Sequence, residues 1–256
     1  MSMSDELKVL DHGYVKRVES WGSDERIIEA ARMSTDKGFQ GWGPIHSDDC
    51  QRQRDLDVHV TGRQYGCICT PTPGDEKLLR FLWEHKHYTP FEMAGLTLEV
   101  QAPIFVFREW HRHRTQSYNE LSARYTALPD LFYVPSVERI MSGKQAAKNK
   151  QGSQEGFSAE DATWVQAVLD SVYIKARLEY ERLLAAGVAR ELARLVIPVA
   201  QYSRMRASAN LRNWLAFLTL RQAPNAQYEI RQYANAVGTI VAQVFPRTWD
   251  LFTLFK

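Results

Sequence analysis

Chemistry concentrates between positions 109 and 124, where the chain reads Glu-Trp-His-Arg-His-Arg-Thr-Gln-Ser-Tyr-Asn-Glu-Leu-Ser-Ala-Arg. Arg112 and Arg114 are permanent cations set beside the imidazoles of His111 and His113. Ser117, Asn119, Glu120, Ser122 and Arg124 follow, with Tyr118, Leu121 and Ala123 as the apolar interruptions. Such a density of donors is costly to bury unless a charged ligand with many acceptors satisfies it. The planar guanidinium fork suits phosphate and carboxylate. Serine and asparagine add directional bonds to a sugar or a heterocycle.

Two other readings compete. The His-Arg-His-Arg run alone also fits a solvated basic turn. The apolar stretch from Leu96 to Trp110 directly precedes it, which puts the polar run at the edge of a core and favours a site. His85, His87, His111 and His113 are available to a metal. His85 and His87 lack the i, i+4 spacing of helical ligands, and neither an HExxH nor a CxxC pair is present, so no metal is expected.

The elements that must position this cluster follow from periodicity. Asp24 to Met33 reads as a helix, capped by Ser23 or Asp24, with Ile27, Ile28 and Ala31 on one face. Gly38 to Gly74 holds Gly, Pro, Asp and Gln with little periodicity and reads as a loop insertion. Helix resumes over Asp75 to His87. Ala94 to Gln101 alternates as a half-buried strand, and Pro103 suits the first turn of a helix running toward Trp110. Gly143 to Gly156 reads as an exposed loop, within a loop region of about 142–158. Ala159 to Ala186 reads as a long amphipathic helix ending at Gly187, a plausible C-terminal cap. A short helix over Glu191 to Val199 breaks near Pro198, and helices are expected over Asn210 to Gln222 and Ala226 to Val244. There are no internal repeats. The pattern predicts one helix-rich domain over 1–256 with a small sheet, of α+β or mixed α/β class.

The 256 residues are 45% hydrophobic and 24% charged, an ordinary globular composition able to bury a core. A formal net charge of +2 gives no reason to expect nucleic-acid binding. No apolar run is long enough for a membrane span, and the N-terminus lacks the pattern of a secretory signal. The three cysteines, Cys50, Cys67 and Cys69, are an odd count that argues for reduced thiols and a cytoplasmic location.

The residues also carry a family resemblance. Arg112-His113-Arg114, seven residues and then Ser122 resembles the signature of the flavin-dependent thymidylate synthases, and the run from Arg112 to Tyr125 is similar to that family's longer pattern. His87-Tyr88-Thr89-Pro90-Phe91-Glu92 resembles an upstream element, and Pro103-Ile104-Phe105-Val106 leads into the signature as it does there. Downstream, Ala189 to Arg194, Asn210-Leu211-Arg212, Leu218 to Arg221 and Ala226 to Ile230 are similar in order. The resemblance implies that family's fold, a small mostly antiparallel sheet flanked by long helices. It implies a homotetramer with shared active sites, bound FAD, NADPH as reductant, methylenetetrahydrofolate as carbon donor and dUMP as acceptor, hence dTMP synthesis.

The resemblance also assigns residues. Arg221 is the expected catalytic cation, stabilising negative charge on the pyrimidine after loss of the N3 proton; a guanidinium suits this because it keeps its own proton. The bland reading of Arg221 is a cation at a helix C-terminus. For dUMP the matching positions are Glu109, Trp110, His111 and Arg112 on one subunit and Glu120, Leu121, Ser122, Ala123 and Arg124 on another, with Arg194. Ser122 is expected to bind rather than attack, since no adjacent base is evident. For FAD they are Ser34, Thr89, Arg112, His113, Arg114, Glu120, Asn210 and Arg212; no Rossmann glycine fingerprint is present. His87 matches a histidine near the flavin and is a candidate for placing folate or NADPH, with a helix-terminal capping role as the equal alternative.

Departures from the family pattern are Glu109 for a common glutamine, Met93 for a common histidine, and Ala216 at an often polar flavin contact. An ionised Glu109 accepts hydrogen bonds and repels phosphate, so it is expected to face the sugar or base. All three cysteines lie in the irregular insertion, so none is expected to be a nucleophile. Alternatives to dTMP synthesis are a related flavin and folate reaction, such as hydroxymethylation of a pyrimidine nucleotide, and a nucleic-acid-binding module.

Overall fold

Caps and turns written into the local sequence set most of the helix boundaries. The computed structural model describes residues 6–43, 74–145, 153–154 and 156–255, which group into two compact units: Met1–Ser20 with Leu96–Val241, and Trp21–Gly95 with Ala242–Lys256. In chain order the elements are β1 (Glu6–Val9), β2 (Gly13–Trp21), α1 (Asp24–Arg32), α2 (Asp75–Glu84), β3 (Gly95–Pro103), α3 (Ile104–Trp110), β4 (Ser117–Glu120), α4 (Val137–Met141), β5 (Lys144–Gln145), β6 (Ser153–Gln154), α5 (Ala159–Ala185), α6 (Arg190–Ala193), β7 (Tyr202–Asn210), α7 (Leu211–Arg221), α8 (Tyr228–Val244) and α9 (Pro246–Leu254). Short 3-10 turns cover Met33–Thr35, Thr89–Met93 and Arg194–Val196. No helix among the described residues is long and apolar enough to cross a membrane.

The first unit is built on a five-stranded antiparallel sheet in the order β1-β2-β3-β7-β4. The fold class expected from the sequence is the one observed. β3 keeps the expected alternation: Leu96, Leu98, Val100 and Ala102 are buried, while Thr97, Glu99 and Gln101 are half-buried on the other face. β7 alternates too, burying Ser203, Met205, Ala207 and Ala209 and exposing Arg204 and Arg206; Tyr202, at its start, is buried as well. Trp214, Phe217 and Leu218 of α7 and Ile230, Tyr233 and Val237 of α8 are fully buried, and Trp214 and Tyr233 reach carbonyls of β3. Each such side chain contributes about 1.5–3 kcal/mol relative to exposure. The Trp214 indole N–H donates to the Leu96 carbonyl at 3.1 Å, satisfying the one polar atom that this ring brings inside.

The second unit centres on Ile27, Ile28, Leu79, Leu82 and Phe91. The Trp83 ring meets Phe91 and Phe252 edge-on at 5.7 and 6.2 Å. Asp24 and Asp75 are buried carboxylates here. Asp24 accepts from the Arg247 and Thr248 amides and the Thr248 hydroxyl; Asp75 accepts from Arg32 and from the Gln40 amide.

Several boundaries differ from the sequence expectation for physical reasons. α2 stops at Glu84 rather than His87, because Lys86 takes φ 58° and the Lys86 and His87 amides turn back to the Trp83 and Leu82 carbonyls. α5 ends as expected: Gly187 has φ 82°, and the Gly187 and Val188 amides close on the Leu184 and Leu183 carbonyls. The short helix before Pro198 is one turn of α-helix, Arg190–Ala193, followed by a 3-10 turn. Pro103 ends β3 and caps α3 instead of starting it, and the Ile104 and Phe105 amides donate to the Gln201 and Val199 carbonyls. The loop expected at 143–156 contains the two-residue antiparallel ladder of β5 and β6. Most of the 38–74 insertion, with all three cysteines, lies outside the described residues. Its described margin is anchored, since the Trp42 indole donates to Glu25 at 2.8 Å and Arg247 stacks over the Trp42 ring at 4.5 Å.

Candidate active site

α3 and α7 are docked through aromatic rings, and that docking assembles the first cluster. The Trp110 indole is fully buried, stacks on Phe217 at 4.6 Å, and donates to Gln116 Oε1 at 3.0 Å. Trp110 is thus a core wedge whose side chain is committed inside. It holds the end of α3 so that Glu109 and His113 both face the last residue of α7, Arg221. Arg221 Nη1 donates to Glu109 Oε2 at 2.7 Å, Nη2 to the Glu109 carbonyl at 2.8 Å, and Nε to His113 Nε2 at 2.9 Å.

The protonation states follow. A guanidinium only donates, so the His113 nitrogen facing it carries no proton. Burial, and then the Arg221 charge, pull His113 down to about 4, leaving the ring neutral at pH 7. Burial pushes the Glu109 carboxyl up, and the Arg221 charge only partly offsets this. The expectation that Glu109 faces a sugar or base meets a different fact: its carboxylate is paired with Arg221.

The second cluster surrounds a cleft of about 580 Å³ in the first unit. Glu120, Leu121, Ser122, Ala123 and Arg194 line it, together with His111, Arg108 and Ser203. β4 delivers Glu120 by pairing with β7, opposite Met205, and the Leu121 amide extends the ladder to the Arg204 carbonyl at 2.7 Å. Ser122 starts the next turn, its hydroxyl accepting from the Arg124 amide at 3.3 Å. Glu191 ties the two outer cations down: its carboxylate pairs with Arg124 at 3.1 Å and its carbonyl accepts from Arg194 Nε at 3.3 Å. Arg221, Glu109 and Arg112 are not among the residues lining this cleft.

The remaining assigned residues are placed as follows. Arg112 and Arg114 are exposed, and neither forms an ion pair among the described residues. Asn210 caps α7, its side chain accepting from the Asn213 amide at 3.0 Å, and Arg212 is exposed on the first turn. Asn213 donates to the Thr115 carbonyl at 3.2 Å, which binds α7 to the loop after the Arg-His-Arg run. Ser34, His87 and Thr89 belong to the second unit. Ser34 is exposed with its hydroxyl on the Ala31 carbonyl at 3.1 Å. His87 and Thr89 line a cleft of about 450 Å³ there, together with Met93. Ala216 is exposed on α7. The downstream motif has a structural use: Glu229 is buried and takes Arg139 Nε at 2.7 Å and the Tyr133 hydroxyl at 3.2 Å.

Ser203 and Arg108 were missed by the sequence reading. The signal for Ser203 was the alternation of β7, which puts this hydroxyl on the same buried side as Met205 and Ala207. Arg108 precedes the cluster on α3 and carried no signal beyond its charge.

Comparison with known proteins places the chain. The family described as thymidylate synthase complementing protein matches residues 17–247. A flavin-dependent thymidylate synthase of Thermus thermophilus is 39% identical, over 96% of this chain and 77% of its own length. That of Thermosipho africanus is 36% identical, over 98% of this chain and 95% of its own length. A solved relative, the UMP/dUMP methylase PolB from Streptomyces cacaoi bound with 5-Br UMP, superposes with a TM-score of 0.76 at 33% identity, covering 97% of each chain. With the motifs in order and the fold shared, this chain belongs to the flavin-dependent thymidylate synthase family.

Proposed function

We propose that this chain methylates dUMP reductively to dTMP, with methylenetetrahydrofolate as carbon donor and NADPH reducing a bound FAD. The observation that carries this reading is the three-bond clamp on Arg221. A fixed guanidinium beside a neutral imidazole is suited to stabilise the anion that forms when a pyrimidine loses its N3 proton. Because its charge is already positioned, little reorganisation accompanies that step. Neutral His113 neither competes for the anion nor repels the cation.

The residues present fit a flavin dinucleotide. The exposed guanidiniums of Arg112 and Arg114, without acidic partners among the described residues, match a pyrophosphate dianion. Arg212, Asn210, Glu120, Ser34 and Thr89 are the further candidates. When bound, the flavin supplies hydride transfer; the chain binds, orients and neutralises charge. His87 is the candidate to place folate or NADPH. Arg194 in the cleft and Arg124, paired with Glu191 beside it, suit the nucleotide phosphate, and Ser122 its hydrogen bonding. The exclusion of Arg221 and Glu109 from that cleft supports a complete site built by two copies of a single functional domain, in a homotetramer of the cytoplasm.

A second reading widens the substrate to UMP. It is favoured by the solved relative of 33% identity that is a UMP/dUMP methylase.

The test is a visible spectrum and a product assay. Absorption in the flavin bands, bleached by NADPH and faster with dUMP, followed by a product with the mass of dTMP, is the expected result. A colourless protein that FAD does not reconstitute sinks the proposal, and a hydroxymethyl product would replace it with the related reaction.

A further inference from the structure

Among the described residues, Ser203 Oγ and His111 Nε2 are buried atoms with no hydrogen-bond partner, and both residues line the cleft of about 580 Å³. Ser203 is 1% exposed. The His111 ring is held in orientation, stacked on Phe107 at 6.2 Å and edge-on to Tyr118 at 4.8 Å. A buried polar atom left unpaired is a standing cost to the folded chain, recovered when a ligand supplies the partner.

The chemistry of that partner is constrained. The cations lining the cleft, Arg108 and Arg194, are exposed, so a phosphate keeps its charge with them near water. An anion carried down to a serine hydroxyl and an imidazole would lose hydration and leave the two guanidiniums behind. Glu120, also on the lining, opposes an anion as well. A neutral hydroxyl suits such a floor, because it both donates and accepts, and so can pair with the Ser203 hydroxyl and with the His111 nitrogen whichever role that nitrogen takes.

We infer that Ser203 and His111 bind a hydroxyl of the nucleotide's sugar, and so set which sugars the site accepts. This rests on the nucleotide reading above. It assigns Ser203, absent from every motif of the signature, a positioning role through the ribose.

The test is calorimetric binding of dUMP, UMP and 2′,3′-dideoxyuridine monophosphate to the purified flavoprotein and to its Ser203→Ala, Ser203→Thr and His111→Phe variants. Loss of one neutral hydrogen bond is expected to weaken binding about tenfold. For Ser203→Ala and His111→Phe that loss should appear with the hydroxyl-bearing nucleotides and be absent with the dideoxy compound. Ser203→Thr, which keeps the hydroxyl, should restore affinity. Loss with UMP alone assigns the 2′-hydroxyl; loss with both UMP and dUMP assigns the 3′-hydroxyl. Equal losses for all three nucleotides, or none, overturn the inference while leaving the nucleotide reading intact. A wild-type protein that binds none of the three overturns the nucleotide reading and this assignment with it.

Discussion

Arg221 and Glu109, 112 residues apart, are joined by two hydrogen bonds from one guanidinium, 2.7 Å to the carboxylate and 2.8 Å to the backbone carbonyl. The third donor is taken by His113 at 2.9 Å. An ammonium group lacks this planar fork and cannot reproduce all three bonds. Arg221→Ala should therefore lower single-turnover dTMP formation by roughly 10²–10³-fold, the scale for removing a preorganised charge. Arg221→Lys should recover only a small part. Near-normal turnover in the alanine variant, with flavin retained, would show that the charge acts elsewhere.

Glu109 is half-buried and its carboxyl is raised. For such a group, stability is present below its unfolded value and is lost as pH rises through the folded one. Glu109→Gln removes the charge while keeping an acceptor for Arg221. Its melting temperature relative to wild type should be higher near neutral pH than at about pH 5. A pH-independent difference between the two proteins would contradict this account.

His113 sits at about 4 rather than 6.5. The unfolded chain binds the extra proton first, so this group's stabilisation is complete above the unfolded value and is lost as pH falls toward about 4. Imidazole NMR should show His113 neutral well below the usual midpoint. Protonation also removes the acceptor for Arg221, so turnover should fail over the same acid range. A His113 signal titrating at the ordinary histidine value would refute the clamp.

Asp24 holds the first turn of α9, taking the Arg247 and Thr248 amides at 2.9 and 3.2 Å and the Thr248 hydroxyl at 2.6 Å. That helix has no side-chain cap of its own. Asp24→Ala should cost about 2–4 kcal/mol in urea unfolding, since buried donors are left unpaired. A loss below about 1 kcal/mol, the range of an ordinary cap, would mean that water replaces the carboxylate.

Cys50, Cys67 and Cys69 lie in the insertion, outside the described residues and every family motif. Cys67→Ser and Cys69→Ser should keep both flavin and turnover. A variant that keeps flavin but loses turnover would identify a nucleophile and displace Arg221 from its proposed role.

What was legible in the sequence was what neighbouring residues decide. The caps at Ser23 and Gly187 could be read because a cap and its helix lie within a few residues. The alternation of β3 could be read for the same reason, as could the density of cations from Arg112 to Arg124. β4 could not: Ser117 to Glu120 is polar on both faces and becomes a strand only by pairing with β7, about ninety residues on. The two units, each gathered from separated segments, have no local signature either. Sequence alone thus determined the family and the helical framework. Tertiary structure decided which groups meet: that Glu109 is spent on Arg221, that His113 is neutral, and that Ser203 lies beneath the cleft. Those outcomes depend on burial and on contacts between distant segments, and neither is a property of any short stretch of chain.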